Sequence, residues 1–294
     1  MDRIAVTQVR AFNRTVAERI GALTDGFLGR SRPMGESRTL WEIGLGGAEV
    51  RELRARLGLD SGYMSRVLRS LEREGLITVE ARPDDGRVRF ARLTRAGRSE
   101  RTVLDRRADQ VAWGFLEPLT DHQRTKLMAS MAEVERLLRA SQVTLAVEDP
   151  TTPDARWCVE QYFAELDTRF EAGFDPKKSI PADAHDMVPP RGELVVARLH
   201  NRPIGCGALK FHGRAPAELK RMWVAPQARG LGLGRRLLNE LERHARKAGA
   251  RAVRLETNRT LKEAIQLYRS AGYREVPAFN EEPYAHHWFE KRLA

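Results

Sequence analysis

The sequence contains few of the residues that build disulfide frameworks or metal centres. Only two cysteines, Cys158 and Cys206, occur among 294 residues, and they lie far apart in the chain. Two distant cysteines exclude a disulfide-stapled scaffold and are too few for a four-cysteine zinc site. His212 and the pair His286-His287 have no metal-ligand spacing. No metal is therefore predicted.

Long apolar segments are also missing. No run approaches the roughly 20 apolar residues that cross a bilayer, and the N-terminal residues lack the apolar core of a signal peptide. These absences predict a soluble, cytoplasmic protein without a membrane partner. The composition, 41% hydrophobic and 31% charged, is globular, and the length favours two domains.

Lysine is scarce in the first part of the chain, where Lys126 is the only one before Lys177. Arginine carries most of the positive charge instead. The chain has 51 Lys and Arg against 40 Asp and Glu, a formal net charge of +11. Such an excess predicts a polyanionic partner, which is nucleic acid, a phosphorylated cofactor, or both.

The predicted secondary structure changes near residue 142. Residues 1–142 are predicted to be mainly α-helical, and residues 143–294 to form an α/β domain. The first outer helix has a stripe of apolar residues at helical spacing, which comprises Val9, Phe12, Val16, Ile20 and Leu23. A capping-box spacing at Thr120–Gln123 predicts the start of another long helix.

Two short helices are predicted at residues 49–57 and 61–74, separated by Gly58-Leu59-Asp60. The second helix turns an apolar face inward at Met64, Val67, Leu68 and Leu71. Its outer face presents Tyr63, Ser65, Arg66, Arg69 and Arg73. A helix, a tight turn and a helix with this polar face are typical of a helix-turn-helix DNA-binding motif.

A basic hairpin follows this helix pair. Asp85-Gly86 is a hairpin turn signal, and Arg82, Arg87 and Arg89 surround it. Such a wing suits phosphates or a narrow minor groove. A helical domain with an exposed basic face that binds no DNA is the alternative.

The segment Ser65–Leu76, followed by Asp85-x-Arg87-x5-Leu93-Thr94, resembles the MarR family of winged-helix repressors. The resemblance covers residues 1–141. It implies a homodimer, formed through residues 1–25 and 95–140, that reads a near-palindromic operator in double-stranded DNA. The predicted DNA-binding residues are Tyr63, Ser65, Arg66, Arg69, Arg82, Arg87 and Arg89.

The second domain contains the glycine-rich run Arg229-Gly-Leu-Gly232-Leu-Gly234, between a predicted strand and a predicted helix. Glycines let the backbone approach a ligand closely, and the free N–H groups of a helix N-terminus bind phosphate oxygens. A dinucleotide fold is the alternative, with Glu256 about 20 residues on as the ribose-binding acid. The run lacks the third-glycine spacing, however, and only one β-α-β unit fits.

This run resembles the GNAT acetyltransferase motif Arg/Gln-x-x-Gly-x-Gly/Ala. The segments Glu218–Pro226 and Ala264–Tyr273 resemble two further motifs of that family, and the likeness spans about 143–294. It implies acetyl-CoA, with its pyrophosphate on the backbone of Arg229–Arg235. The predicted cofactor-binding residues are Met222, Val224, Arg229, Gly230, Gly232, Gly234 and Arg235.

The resemblance implies direct acetyl transfer from acetyl-CoA to an amine. Tyr268 matches the family's usual acid, although it shares an apolar stripe with Leu261 and Ala264, and a core tyrosine is the alternative. Glu218 is the predicted base, acting through water. We expect it on the same strand face as Lys220, Met222 and Val224, because side chains alternate along a strand. Thr260–Glu263 has the spacing of another capping box.

Together, the two halves predict a DNA-binding transcriptional regulator fused to an N-acetyltransferase, an acyltransferase with a small amine as acceptor. Acidic side chains within residues 157–192 are predicted to attract a cationic acceptor; they are Glu165, Asp167, Glu171 and Asp175. Two alternatives stay open. In the first, the second half is a non-catalytic sensor of acetyl-CoA or an amine. In the second, the acetyl acceptor is a lysine on another protein.

Overall fold

The computed structural model describes residues 2–20, 32–82, 85–213 and 215–293, without the side chains of residues 82 and 85–87. The chain divides into two compact units, Met1–Met131 and Ala132–Ala294. The division lies inside the helix at Asp121–Ser141, some ten residues before the predicted boundary. The predicted fold class, a mainly helical winged unit followed by an α/β unit, is confirmed.

Counted over its described residues, the first unit contains five complete helices, the beginning of a sixth, and one small sheet. The elements are α1 (Arg3–Arg19), α2 (Met34–Ile43), β1 (Ala48–Glu49), α3 (Val50–Leu57), α4 (Ser61–Arg73), β2 (Ile77–Arg82), β3 (Asp85–Leu93) and α5 (Arg95–Leu116), followed by α6 (Asp121–Ser141). The three strands are antiparallel in the order β1-β3-β2. Strands β2 and β3 form the predicted wing.

The predicted helix pair is α3 and α4. Helix α3 ends at Gly58, whose φ of 64° places it in the left-handed region that glycine adopts without strain. Asp60 then caps α4, because its carboxylate accepts a hydrogen bond from the Tyr63 N–H at 2.8 Å. The four predicted inward residues of α4 are the four that it buries, which confirms that face.

Helices α1 and α6 bury no residue. The predicted capping box of α6 is confirmed, since Thr120 and Gln123 exchange side-chain-to-backbone hydrogen bonds at 3.0 and 3.3 Å. The apolar side chains that these two helices expose include Ile4, Val9, Phe12, Met128, Leu137 and Leu138. Within the described residues, both helices thus expose several large apolar side chains.

The second unit is a twisted sheet with helices. After α6 it runs through β4 (Thr144–Val147), α7 (Pro153–Arg169), β5 (Gly192–Leu199), β6 (Arg202–Lys210), β7 (Ala217–Val224), α8 (Leu233–Lys247), β8 (Ala252–Thr257), α9 (Lys262–Ser270), β9 (Arg274–Val276) and β10 (His287–Arg292). The strand order is β4-β5-β6-β7-β8-β10-β9. Only β7 and β8 pair in parallel; the other described pairs are antiparallel.

Helix α8 is fixed on the sheet by a fully buried stripe, Leu237, Leu238 and Leu241. Each such leucine stabilises the packing by roughly 1.5–3 kcal/mol. The sheet meets this helix at glycines, because a Cβ at Gly207 would lie 2.6 Å from a methyl carbon of Leu241. The N-terminus of α8 therefore has a fixed position.

Strands β7 and β8 separate soon after they meet. Their parallel register has two pairs, Ala217↔Val253 and Glu218↔Arg254, so the later residues of β7 have no partner strand on that side. On its other side β7 carries a bulge, where two residues, Arg221 and Met222, lie opposite Gly207 alone. The separation opens a wedge in the sheet beside the bulge.

Two local predictions are wrong. The bulge interrupts the alternation of β7: the register groups Glu218 and Lys220 with Trp223 rather than with Val224. The capping box at Thr260–Glu263 does not form, because α9 has Leu261 at its N-cap and no side-chain cap. Instead, the Asn258 side chain accepts the Thr260 N–H at 2.9 Å.

Candidate functional sites

The wedge between β7 and β8 continues into a cavity of about 560 Å³. Residues from α7, β7, the glycine-rich turn, α8 and α9 line it. The seven predicted cofactor-binding residues are all among them, namely Met222, Val224, Arg229, Gly230, Gly232, Gly234 and Arg235. The structure thus brings together residues from three consecutive segments, although their role in binding stays a prediction.

One end of this cavity is the N-terminus of α8. Gly230 and Gly232 have φ of 80° and 70°, and a Cβ at either position would meet no atom within 4 Å. Gly232 is the N-cap and supplies no side-chain cap, so the first amide groups of α8 have no side-chain acceptor from it. Backbone donors and open space at a helix N-terminus suit a phosphate group.

Arg229 is held rather than free. Its guanidinium pairs with Glu165 of α7 and donates a hydrogen bond to the Val224 carbonyl at 3.2 Å. Glu165 also accepts the Trp223 indole N–H at 2.8 Å. The acid thereby ties the turn and the end of β7 to α7, a role that the sequence did not indicate.

A second, smaller cavity of about 90 Å³ adjoins the first. Tyr268, Tyr162 and Met222 line both cavities. The Tyr268 ring packs 5.8 Å from the Tyr273 ring and 6.2 Å from the Phe289 ring. Burial, with the nearby Tyr162 and Glu256, raises the pKa of the Tyr268 hydroxyl above its ordinary value. The phenol stays protonated at neutral pH and is able to donate a proton.

Glu218 lies next to this region but lines neither cavity. Its carboxylate accepts two hydrogen bonds from Arg254, at 2.6 and 3.2 Å. Burial alone would raise the pKa of Glu218, but the charges of Lys220, Arg254 and His212 outweigh it and lower that pKa. The predicted role of Glu218 as the base stays a prediction.

Two carboxylates, Glu256 and Glu282, line the smaller cavity among the described residues. Glu282 accepts hydrogen bonds from the Ser179 hydroxyl at 2.9 Å and the Ile180 N–H at 2.7 Å. Glu256 is bound differently. It pairs with the ammonium group of Lys220, which lies 3.6 Å from Glu218. Asn280 donates to Glu256 at 3.4 Å. The sequence suggested Glu256 only as a ribose-binding acid, because the divergence of β7 and β8 that exposes it cannot be read from residue spacing.

The acidic residues predicted to attract a cation are used within the fold. Asp167 accepts the Phe174 N–H, and the side chain of Asp175 accepts the Lys177 N–H. Glu171 binds the exposed Arg259 at 3.2 Å. Each of these three carboxylates therefore has a partner within the fold, and its presence does not require a bound cationic ligand.

The first unit presents a basic helix face. Arg66, Arg69 and Arg73 of α4 are exposed, while Tyr63 and Ser65 are half-buried. Arg69 donates to the Ser65 carbonyl at 3.2 Å, and the Arg66 guanidinium lies 5.7 Å from the Tyr63 ring centroid. Arg89 of β3 is exposed as well. The side chains of Arg82 and Arg87 lie outside the described residues.

No group of His, Cys, Asp and Glu side chains in the described ranges is arranged to hold a metal ion. No helix within those ranges has the length and apolar character needed to span a membrane.

The chain matches two known families. The acetyltransferase (GNAT) family model matches residues 159–273, and the MarR family model matches residues 28–88. An uncharacterized N-acetyltransferase of Schizosaccharomyces pombe is 34% identical over 137 residues, which are 45% of this chain and 79% of that protein. The "IAA acetyltransferase" of Azospirillum brasilense is 36% identical over 138 residues, 47% of this chain and 88% of that protein.

Among solved structures, an acetyltransferase of the GNAT family from Staphylococcus aureus is similar to the second half. It is 15% identical with a TM-score of 0.44, and the match covers 52% of this chain and 99% of that chain.

Proposed function

Because this chain belongs to the GNAT acetyltransferase family and carries a MarR-family domain, we propose that it is a DNA-binding regulator whose second unit transfers acetyl from acetyl-CoA to a small amine. One observation carries the enzymatic part. The predicted cofactor-binding residues line one cavity, and this cavity shares Tyr268 with a second one, where we place the acceptor.

The larger cavity fits acetyl-CoA. The amides of α8 and the open space at Gly230 and Gly232 would hold the pyrophosphate. The edge of β7 that has lost its partner strand would pair with the pantetheine near Met222 and Val224. When bound, acetyl-CoA supplies an activated acetyl thioester.

Two residues carry out the two proton transfers of the reaction, Tyr268 as the acid and Glu256 as the base. The acceptor nitrogen attacks the thioester carbonyl carbon, so that a C–N bond forms and the C–S bond breaks. Tyr268 donates its proton to the departing sulfur. The amine proton passes to Glu256, which lines the acceptor cavity. In this proposal Glu218 acts only indirectly, through Lys220, whose ammonium group lies 3.6 Å from the Glu218 carboxylate.

We test this function by mixing protein, acetyl-CoA and a panel of small amines and measuring thiol release with a thiol-reactive dye. Both cysteines of the chain are buried, which keeps the background low. The proposal predicts release that depends on the amine. Binding of acetyl-CoA by calorimetry without release for any amine would contradict it and favour a sensor.

For the first unit, we propose that a homodimer places α4 of each copy in the major groove of a near-palindromic operator. The exposed arginines of α4 support the contact with DNA. Duplexes enriched by the protein from a random pool should carry inverted half-sites about one helical turn apart. Single, unrepeated sites would contradict the dimeric arrangement.

The exposed apolar side chains of α1 and α6 support the dimer, since apolar side chains gathered on an exposed face are typical of an interaction surface. Phe12→Glu places a charge in the stripe of α1, so we expect a monomer in analytical ultracentrifugation. Thr7→Glu, on the same exposed helix, is the matched control and should stay dimeric. A dimeric Phe12→Glu variant would exclude α1 from the interface.

A further inference from the structure

Arg221 occupies an unusual position in the bulge of β7. Its φ is 54°, a left-handed conformation that a residue with a Cβ disfavours. The register places Lys220 and Trp223 in pairs on either side of the bulge, opposite Ala208 and Cys206. The bulge therefore aims the Arg221 side chain independently of its strand neighbours.

Two cations and two carboxylates, Glu256 and Glu282, line the smaller cavity among the described residues, and they are unevenly paired. Glu282 accepts hydrogen bonds from the neutral groups of Ser179 and Ile180. Lys220 and Arg221 are its two lining cations among the described residues. Lys220 is paired with Glu256 and lies near Glu218. Arg221 has no carboxylate partner within the described part of the chain. Its hydrogen bond to the Ala182 carbonyl is long, at 3.4 Å.

The guanidinium of Arg221 also contains an unsatisfied donor. Its Nε is buried and makes no hydrogen bond, which is costly for a charged group unless a ligand supplies the acceptor. The flat group lies over the Phe163 ring, 4.5 Å from its centroid, and 5.7 Å from that of Tyr162. The two rings hold the guanidinium group in one orientation. Arginines held in this way bind a carboxylate through two parallel hydrogen bonds.

Arg221 and the reacting groups share one cavity. Arg221 lines it together with Tyr268 and Glu256. The walls include the aromatic side chains Tyr162, Phe170, Phe174 and Tyr284. Among the described residues, the cavity thus offers a cation without a carboxylate partner, an apolar wall, and the carboxylate of Glu256 beside the predicted acid.

We propose that the acetyl acceptor is a small aminocarboxylate with an apolar side chain, whose carboxylate is bound by Arg221 while its amine faces Glu256 and Tyr268. This proposal rests on the proposed acetyltransferase function. Arg221 is a specificity-determining residue, and it takes no part in the proton transfers.

The test compares three probes that differ in one group: phenylalanine, phenylalaninamide and phenethylamine. Wild-type kcat/KM should be about 10- to 100-fold higher for phenylalanine, since each of the other two leaves a buried charge unpaired. Arg221→Gln should remove this preference and leave the acetyl-CoA Kd unchanged. Arg269→Gln, which removes another ring-stacked arginine that lies outside both cavities, should keep it.

Equal wild-type kcat/KM for the three probes would overturn the proposal, as would an equal loss on all three in Arg221→Gln. A preference for phosphoethanolamine over phenylalanine would point to phosphate and also overturn it. Inhibition of wild type by 3-phenylpropionate, competitive with phenylalanine, is a further expected result that needs no variant, and its absence would contradict the proposal.

Calorimetry with phenylalanine separates this inference from the proposed function. Binding that Arg221→Gln weakens, without any turnover, would support the carboxylate site and contradict catalysis. Turnover of amines without preference for the carboxylate would support catalysis and contradict the carboxylate site.

Discussion

In the first unit, the predicted functional residues belong to α4 and the wing that follows it, whereas in the second they line a cavity that α7, β7, α8 and α9 build together. The DNA-binding face comes from a single segment, so its residue spacing nearly specifies it. The cavity comes from distant segments, and its chemistry depends on how the strands diverge. Substitutions on the exposed face are expected to change binding alone, while substitutions in the cavity need controls for folding.

The largest effect is expected at the centre of the cavity. Tyr268→Phe removes one hydroxyl and keeps the ring, so turnover should fall about 10²- to 10⁴-fold, the range for a positioned acid, with little change in acetyl-CoA affinity. Steady-state kinetics and calorimetry measure the two quantities. Tyr273→Phe, on the adjacent buried ring outside both cavities, should keep its activity. Full activity in Tyr268→Phe would make Tyr268 a core residue.

The exposed face should show a loss of binding without a loss of stability. Arg69→Ala combined with Arg87→Ala should weaken operator binding by about 1–3 kcal/mol for each contact to a base edge that is lost. Fluorescence anisotropy at several salt concentrations should also give a shallower salt dependence, because fewer counterions are released. Arg251→Ala, an exposed arginine of the second unit, controls for the loss of charge. An unchanged affinity in the double variant would remove α4 and the wing from the interface.

The glycine-rich turn tests the cavity in another way. Gly232→Val forces a branched side chain into a left-handed conformation and into the space proposed for pyrophosphate, so acetyl-CoA affinity should fall on the order of 10- to 100-fold. Gly249→Val is a matched control, since Gly249 has φ of 87° and equally open surroundings. Calorimetry should show a loss only in Gly232→Val. An equal loss in both variants would attribute it to backbone strain.

The smallest effect concerns pH. If Tyr268 donates a proton, activity falls as the pH rises through its pKa, and burial raises that pKa. The basic limb of the kcat profile should therefore lie above the ordinary tyrosine pKa of about 10. A descending limb centred near pH 8 that Tyr268→Phe abolishes would contradict this environment.

Most secondary structure could be predicted from the sequence, because apolar periodicity dominates in long elements. The inward face of α4 is an example. The three-residue strand β9 was not predicted, since a segment that short has no periodicity. The predicted cofactor-binding residues of the larger cavity could be listed from the sequence because they belong to motifs of local spacing.

The acceptor side could not be predicted in the same way. Glu256 and Arg221 reach the smaller cavity only because β7 bulges and parts from β8, and neither event leaves a signal in residue spacing. Glu218 was favoured from strict alternation, which the bulge interrupts. The sequence also gave no sign that Glu165 ties Arg229 and Trp223 to α7.

The central claim is that the second unit transfers acetyl to an amine. The most direct measurement uses acetyl-CoA with an isotopically labelled acetyl group and quantifies both free CoA and the labelled acceptor by mass spectrometry. The account predicts equal amounts of CoA and N-acetylated amine, and a large reduction of both in Tyr268→Phe. Acetyl-CoA binding without any labelled amine, or CoA release without it, would contradict the claim.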